Sequence, residues 1–242
     1  MTEAFLWGLV AGSSLLLGGL IALAFDISMR VLGLVMAFGA GVLISAVAYE
    51  LVGEAFETSA GSGGVALGLF AGAAVFFAGD ALIDRLGGHD RKSSGGEQVE
   101  GSPLAIVLGI VLDGIPESIV IGLGLLEGSG VSVAVISAVF LSNLPEAVAA
   151  TSGLDRAGWA RNRILGLWTA VMVVSAFAAL LGYTAFDSAS PRTIAFVLAF
   201  AAGAILTMLA DTMMPEAFED AGSMVGLSTI AGYAIGALLT LI

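Results

Sequence analysis

The sequence has no cysteine, one histidine and few basic residues, and each shortage excludes a class of site. Without cysteine there are no thiolate metal ligands, and the sequence carries no information about redox compartment. Eight Lys and Arg residues stand against 20 Asp and Glu residues. Nucleic acids and large phosphorylated substrates are bound by clusters of basic side chains, so neither is an expected partner.

Charge of either sign is also scarce. Charged residues make up 12% of the chain and hydrophobic residues 58%, with a mean hydropathy of +1.04. A soluble domain carries about 25% charge. A globular core of this size cannot bury so much apolar surface, so we predict an all-α integral membrane protein. The first apolar run lacks the basic region and cleavage site of a signal peptide and is predicted to be a retained helix.

Eight transmembrane helices are predicted, because a spanning helix needs roughly 20 mostly apolar residues. Six uncharged runs qualify, and two further spans appear when acidic residues are allowed inside them. The eight predicted spans are Ala4–Phe25, Val31–Tyr49, Thr58–Gly79, about 103–126, about 131–153, Ile164–Phe186, Thr193–Ala210 and Ala221–Ile242. They form a single transmembrane domain over residues 1–242.

The basic residues predict the orientation of this domain. Seven of the eight lie in alternate connections, those after spans one, three and five: Arg30, Arg85, Arg91, Lys92, Arg156, Arg161 and Arg163. Only Arg192 lies on the other side. The positive-inside rule therefore makes these connections cytoplasmic and puts both termini outside a plasma or bacterial inner membrane. The one long cytoplasmic loop, about 86–102, carries His89, which we interpret as a solvated residue.

Prolines that directly precede glutamates point to the chemistry. Three of the five prolines do so, at Pro116-Glu117, Pro145-Glu146 and Pro215-Glu216, and the first two pairs fall within spans. A proline inside a helix frees the carbonyl about four residues earlier. In lipid, that carbonyl must be satisfied by protein, water or an ion. With the adjacent carboxylate it offers hard oxygen ligands that suit a divalent cation.

Polar residues beside these steps extend the pattern. Asp113 precedes Glu117 by four residues and shares its helix face, as Ser142 and Asn143 do with Glu146. Spans four and five are joined by few residues, so we expect them to be antiparallel and their acidic faces to meet near mid-bilayer. The predicted metal-site residues are Asp113, Glu117, Ser142, Asn143, Glu146 and Asp211. No catalytic or cofactor-binding residue is expected.

Other interpretations of the acidic residues stay open. Several facing carboxylates cannot all be ionised without a cation, and no Lys or Arg lies within these spans. They could instead be protonated structural groups or form a proton-only pathway. Glu50 and Glu54 are either a cation entrance or solvated ends of helix two. Asp80 and Asp84 end helix three, where Arg85 is a candidate partner.

Three segments give the chain a family resemblance. They are residues 112–122 (LDGIPESIVIG), 141–149 (LSNLPEAVA) and 201–216 (AAGAILTMLADTMMPE). Through them the chain resembles the ZIP family of divalent metal transporters. The resemblance implies eight helices in a 3+2+3 arrangement with inverted repeats. It also implies alternating access, often described as an elevator-like slide, with import toward the cytoplasm.

The resemblance also implies which residues hold the metal. Glu117 and Glu146 are the implied primary ligands, with Asn143 and Ser142 beside them. The chain departs from the family at Asp113-Gly114, where the family usually has His-Asn. The glutamate usual in helix six is also missing, so we expect an oxygen site for one ion. Oxygen ligands suit Mn²⁺ or Mg²⁺, whereas the Irving–Williams order favours Zn²⁺ over Mn²⁺.

These observations predict transport of a divalent transition metal, zinc in the first place. The alternatives are manganese or iron as the cargo, export in place of import, or a metal sensor or scaffold that transports nothing. An enzyme acting on lipid phosphates would need basic residues and a nucleophile that the spans lack, so no enzyme is predicted. The expected partners are the metal ion and the bilayer. Gly64, Gly68 and Gly72 form a small-residue face that permits a homodimer without requiring it.

Overall fold

The structure is a computed structural model that describes residues 1–59, 63–89, 91, 102–127 and 132–241. Every regular element in these ranges is helical, which confirms the predicted all-α class. The helices are α1 (Thr2–Ala24), α2 (Met29–Ala46), α3 (Glu54–Ser59), α4 (Gly64–Ile83), α5 (Pro103–Gly124), α6 (Val133–Arg156), α7 (Arg161–Phe186), α8 (Pro191–Met208), α9 (Met214–Ala221) and α10 (Val225–Leu239). π-Helical turns extend α2, α4 and α8 over Val47–Gly53, Asp84–Gly88 and Leu209–Met213.

Seven helical stretches in the described ranges are long and apolar enough to cross a membrane, so the chain is a multi-pass α-helical membrane protein. They are Thr2–Ala24, Met29–Ser59, Gly64–Gly88, Leu104–Gly124, Val133–Arg156, Arg161–Phe186 and Pro191–Leu239. The count is one fewer than predicted because the last stretch, of 49 residues, takes in both of the last two predicted spans. A break in helix geometry divides this stretch at Gly222, where φ is +64°.

The predicted start of the third span is wrong. Thr58 and Ser59 end α3, and the next helix begins only at Gly64. Five of the six residues at 59–64 are Ser or Gly, which have low helix propensity, so the predicted span began too early. The short connection predicted between spans four and five falls at residues 128–131, outside the described part of the chain, as does most of the predicted loop at 86–102.

The helices pack in two groups, which we call the first and second helix groups. In the first group α1 packs along α6 and α7, and α5 packs along α7. In the second group α4 packs along α8, and α2 packs against α9 and α10. The groups meet chiefly where α2 lies against α6 and α5 lies against α8. Both predicted Pro-Glu helices, α5 and α6, therefore belong to the first group.

Glycines let the helices of the second group approach backbone to backbone. A Cβ added at Gly72 of α4 would overlap the carbonyl oxygen of Phe200 in α8, and one at Gly68 would lie 2.9 Å from Ala199 Cβ. Lipid provides no hydrophobic driving force between helices, so such close contact is what holds them together. Gly68 and Gly72 of the predicted glycine face thus pack against α8 of the same chain.

Replacing Gly72 by alanine is expected to lower the unfolding temperature in detergent, because an overpacked contact costs about 1–3 kcal/mol. Gly166→Ala is the matched control, since Gly166 has no neighbour within 4 Å and its exposed position tolerates a methyl group. Alanine favours a helix over glycine by about 1 kcal/mol, so the control should match or exceed the wild type. Equal losses in both variants would contradict the close contact of α4 and α8.

Candidate metal centre

Three of the predicted ligands line one cavity between α5 and α6. Asp113 comes from α5, and Asn143 and Glu146 come from α6, all three with at most 8% of their surface exposed. The cavity has a volume of about 20 Å³. That is room for about one water molecule. The full lining of this α5–α6 cavity is Leu15, Ile110, Asp113, Gly114, Asn143, Glu146, Ala150 and Trp168.

Helix periodicity explains how the polar side chains converge. Asn143, Glu146 and Ala150 follow one another at three- and four-residue spacing, so they share one face of α6. Asp113 occupies the facing position on α5, beside Gly114, which adds no side chain to the lining. The polar side chains of α5 and α6 therefore meet at one cavity.

An apolar wall closes the α5–α6 cavity on the side of α1 and α7. Trp168 of α7 is almost fully buried, and its indole Nε1 donates a hydrogen bond of 2.7 Å to Thr151 Oγ1 of α6. Leu15 of α1 completes the wall. Low polarity around a few carboxylates strengthens their attraction for a cation, because little water screens the charge.

The other three predicted ligands lie elsewhere. Glu117 is buried at 2% exposure on α5, one turn from Asp113, and does not line the cavity. Ser142 is buried and its hydroxyl donates to the Val139 carbonyl oxygen at 3.1 Å. Asp211 is exposed on the π-helical turn after α8. Within the described ranges, no group of three or more His, Cys, Asp or Glu side chains is arranged to hold a metal ion.

The backbone carbonyl freed by Pro145 is also placed away from the cavity. Proline 145 removes the hydrogen bond to the carbonyl of Leu141. A Cβ added at Gly39 of α2 would lie 2.8 Å from that carbonyl oxygen, so the backbone of α2 covers it. Side chains, and not this carbonyl, therefore supply the oxygens of the cavity.

A basic residue reaches the candidate site from outside the spans. Arg91 is 1% exposed, and its Nε donates to Asp113 Oδ2 at 3.0 Å while Nη2 donates to Asp113 Oδ1 at 3.2 Å. Nη2 also donates to Asp80 Oδ1, and Nη1 lies 3.5 Å from Asp84 Oδ1. One guanidinium thus joins three carboxylates from the α4 stretch and α5.

The prediction that no base compensates the embedded acids is therefore wrong for Asp113. The partner of Asp80 and Asp84 is Arg91, whereas the side chain of Arg85 is exposed. Burial acts to lower the pKa of Arg91, but the charges and hydrogen bonds of Asp113 and Asp80 outweigh burial and raise the pKa. The guanidinium therefore stays protonated at any physiological pH.

Glycines are the sequence signal that could have revealed this contact. A Cβ added at Gly109, one turn before Asp113 on α5, would overlap Cδ of Arg91 and lie 2.7 Å from its Nε. The connection also turns back at Gly87, where φ is +91°, a conformation that favours glycine. Asp80, Asp84 and Asp113 are three acids with one base, Arg85, close by in sequence, so at least one further cation is expected from elsewhere in the chain.

A second cavity lies further along α5. Its volume is also about 20 Å³, and its lining residues are Glu50, Val120, Ile121, Gly124, Ser132, Val135 and Leu198. Ser132 donates a hydrogen bond of 2.7 Å to Glu50 Oε2. Val120 and Ile121 lie one turn beyond Glu117, so acidic side chains occur at three successive levels along α5. Such a series is the arrangement expected of a cation pathway.

No protein-family model matches the chain, and no curated protein matches it. Its function is therefore inferred from the residues of the site and their chemistry.

Proposed function

We propose that this protein is a ZIP-type transporter that moves a divalent transition-metal cation, zinc in the first place, through the α5–α6 cavity by alternating access. The observation that carries the proposal is the convergence of Asp113, Asn143 and Glu146 on one buried cavity in a lipid-embedded protein. Ionisable groups inside a membrane protein are costly, and they mark ion pathways when they face its interior.

The donor atoms suit such a cargo. Two carboxylates and one amide supply hard oxygen ligands and two negative charges, which balance a divalent ion. The cavity has room for about one water molecule, so the ion would shed most of its hydration shell. Glu117 and Ser142 are buried within one turn of the lining residues along α5 and α6 and are the candidates to complete the ligand set.

Manganese or iron is the second candidate cargo, because the lining contains no His or Cys. Oxygen-only sites suit harder ions, whereas raw affinity follows the Irving–Williams order and favours zinc over manganese. Import and export use the same site and differ only in energy coupling. A sensor or scaffold would bind the ion in this cavity without moving it.

Eight spans related by an inverted repeat form part of the proposal, and the packing of the helices supports it. The α4–α8 contact has a counterpart in α10–α2, α1–α6 in α7–α5, and α2–α6 in α8–α5. If α1 is exchanged with α7, α2 with α8, α4 with α10 and α5 with α6, each of these contacts becomes another contact of the same set. The counterpart of α5 is α6, which is the relation that an inverted repeat with a 3+2+3 arrangement would have.

A sequence repeat also supports this symmetry. Residues 37–46 read AFGAGVLISA and residues 199–208 read AFAAGAILTM, with Ala, Phe, Ala and Gly at matching positions. Each segment ends a helix of 18 residues that continues through a π-helical turn into a short helix. Local helix and turn patterns, which extend over a few residues, do not reveal this repeat because its two copies lie 162 residues apart.

The course of the last helical stretch, Pro191–Leu239, supports the proposal that it contains two spans. A straight helix of 49 residues would be about 74 Å long, against a hydrocarbon core of about 30 Å. Beside the start of α2, a Cβ added at Gly33 would lie 2.8 Å from the carbonyl oxygen of Ala217 in α9. After the break, Ser228 donates to the Leu34 carbonyl oxygen at 2.6 Å, and a Cβ at Gly236 would lie 2.8 Å from Ser45 Cβ. Helix α10 thus packs alongside α2 over most of its length.

The eight-span topology can be tested with single cysteines, since the chain has none. Ser188→Cys and Leu241→Cys are expected to react with a membrane-impermeant maleimide on intact cells, and Ser223→Cys only after permeabilisation. All three side chains are exposed, so labelling reports the side of the membrane. Seven spans would instead place Leu241→Cys on the opposite side from Ser188→Cys.

The metal site can be tested by calorimetric binding of Zn²⁺, Mn²⁺ and Fe²⁺ to purified protein and by flux into proteoliposomes. Glu146→Gln and Asn143→Ala are expected to weaken binding by at least about tenfold and to abolish most flux, because loss of even a supporting residue costs that much at metal sites. Glu3→Gln, an equal charge change at an exposed residue, is the control and should behave like the wild type.

Each outcome separates the hypotheses. Binding without flux would support the sensor, and the ion moved fastest identifies the cargo. A wild-type protein that neither binds nor moves any divalent ion would contradict the proposal. Normal binding by Glu146→Gln would remove that residue from the site.

A further inference from the structure

We propose that Arg91 is a tethered cation that competes with the transported ion for Asp113, so that loading of the α5–α6 cavity and release of Arg91 from Asp113 are coupled. This inference rests on the proposed function. It is carried by the position of one side chain, Asp113, which lines the cavity and is at the same time bound by Arg91.

The geometry makes the two cations competitors. Arg91 occupies both oxygens of Asp113, with Nε to Oδ2 at 3.0 Å and Nη2 to Oδ1 at 3.2 Å. A metal ion bound to either oxygen would lie next to a buried, protonated guanidinium, and the two positive charges would repel each other in a poorly screened setting. Each cation therefore weakens the binding of the other.

Release of Asp113 would not leave Arg91 without a counter-charge. Nη2 also bonds Asp80, Nη1 lies 3.5 Å from Asp84 Oδ1, and Nη1 donates to the Gly88 carbonyl at 3.4 Å. A buried ion pair with a single partner is costly to break, because it leaves an uncompensated charge. Arg91 can instead withdraw toward the carboxylates of the α4 stretch while a metal ion takes over Asp113. This second set of partners is what an exchangeable contact requires.

The same contact joins the two helix groups. Asp80 and Asp84 belong to the α4 stretch of the second group, whereas Asp113 belongs to α5 of the first group. Arg91 thus ties the groups to each other at the end of the cavity that faces the α4–α5 connection. At the other end of the described pathway, Glu50 is bonded by the neutral hydroxyl of Ser132. Cation loading would therefore break an ionic tie between the groups at one end only, while the α2–α6 and α5–α8 packing is retained.

The chain is shaped to deliver Arg91 to this position. Gly87 turns the connection back with φ of +91°, and its carbonyl accepts a hydrogen bond of 3.0 Å from the amide of Ser102. A Cβ at Gly88 would lie 3.0 Å from the Ala105 carbonyl oxygen, and one at Gly109 would overlap Arg91 Cδ. These glycines form a notch that admits the arginine side chain between α4 and α5.

The test is Zn²⁺ affinity, measured by calorimetry on the purified full-length protein. Arg91→Gln is expected to tighten binding by about tenfold, because a hydrogen-bonded pair with a charged partner contributes on that order to an equilibrium constant. Arg85→Gln is the matched control, an equal loss of charge from an exposed residue a few positions away, and should leave the affinity unchanged.

A second variant covers the case in which Arg91→Gln fails to fold. Gly109→Ala keeps every charge but places a methyl group where Arg91 Cδ lies, so it should displace the guanidinium and tighten binding in the same direction. A purely structural ion pair predicts a lower unfolding temperature for both variants with no gain in affinity, and that result would overturn the inference.

The two proposals fail in different ways. If the wild type binds Zn²⁺ and Glu146→Gln weakens binding, but Arg91→Gln and Gly109→Ala bind like the wild type, the competition is wrong and the metal site stands. If the wild type binds no divalent ion, the proposed function fails and the competition fails with it.

Discussion

An ionised carboxylate buried in a membrane protein needs a cation close to it, and this requirement governs the surroundings of Asp113. Asp113 meets it through Arg91, which reaches between α4 and α5 from the connection that follows α4. Glu146 and Asn143 complete a cavity with the same Asp113, in an apolar wall formed by Trp168 and Leu15. One acidic side chain therefore serves both an internal cation and the proposed cargo.

The helix packing holds these groups together in the interior of the helix assembly. Glycine contacts such as Gly72 against Phe200 hold the second helix group together by close backbone approach, which in lipid replaces the hydrophobic effect. The first group carries α5 and α6 and with them the cavity. The major contacts occur in matching pairs, α4–α8 with α10–α2 and α1–α6 with α7–α5, which is the pattern that the proposed inverted repeat requires.

Much of this could be predicted from the sequence because it depends on local spacing. Apolar composition alone gives an all-α membrane protein, and three- and four-residue spacing puts Asn143 and Glu146 on one face of α6. Asp211 shows the limit of such reasoning: like Asp113 it shortly precedes a Pro-Glu step, yet it is exposed on a π-helical turn. Local spacing does not place Arg91, since the position of a loop residue depends on the tertiary fold; Gly87 and Gly109 are visible in the sequence, but their role follows only from the packing around them.

The most direct test of the central claim is an anomalous difference map from crystals grown with Zn²⁺ or Mn²⁺. We expect one peak in the α5–α6 cavity, about 2.0–2.2 Å from oxygens of Glu146 and Asp113. In the same structure Arg91 should be withdrawn from Asp113 and still paired with Asp80. A map without a peak in this cavity, or a bound ion beside an Arg91 that keeps both hydrogen bonds to Asp113, would contradict the central claim.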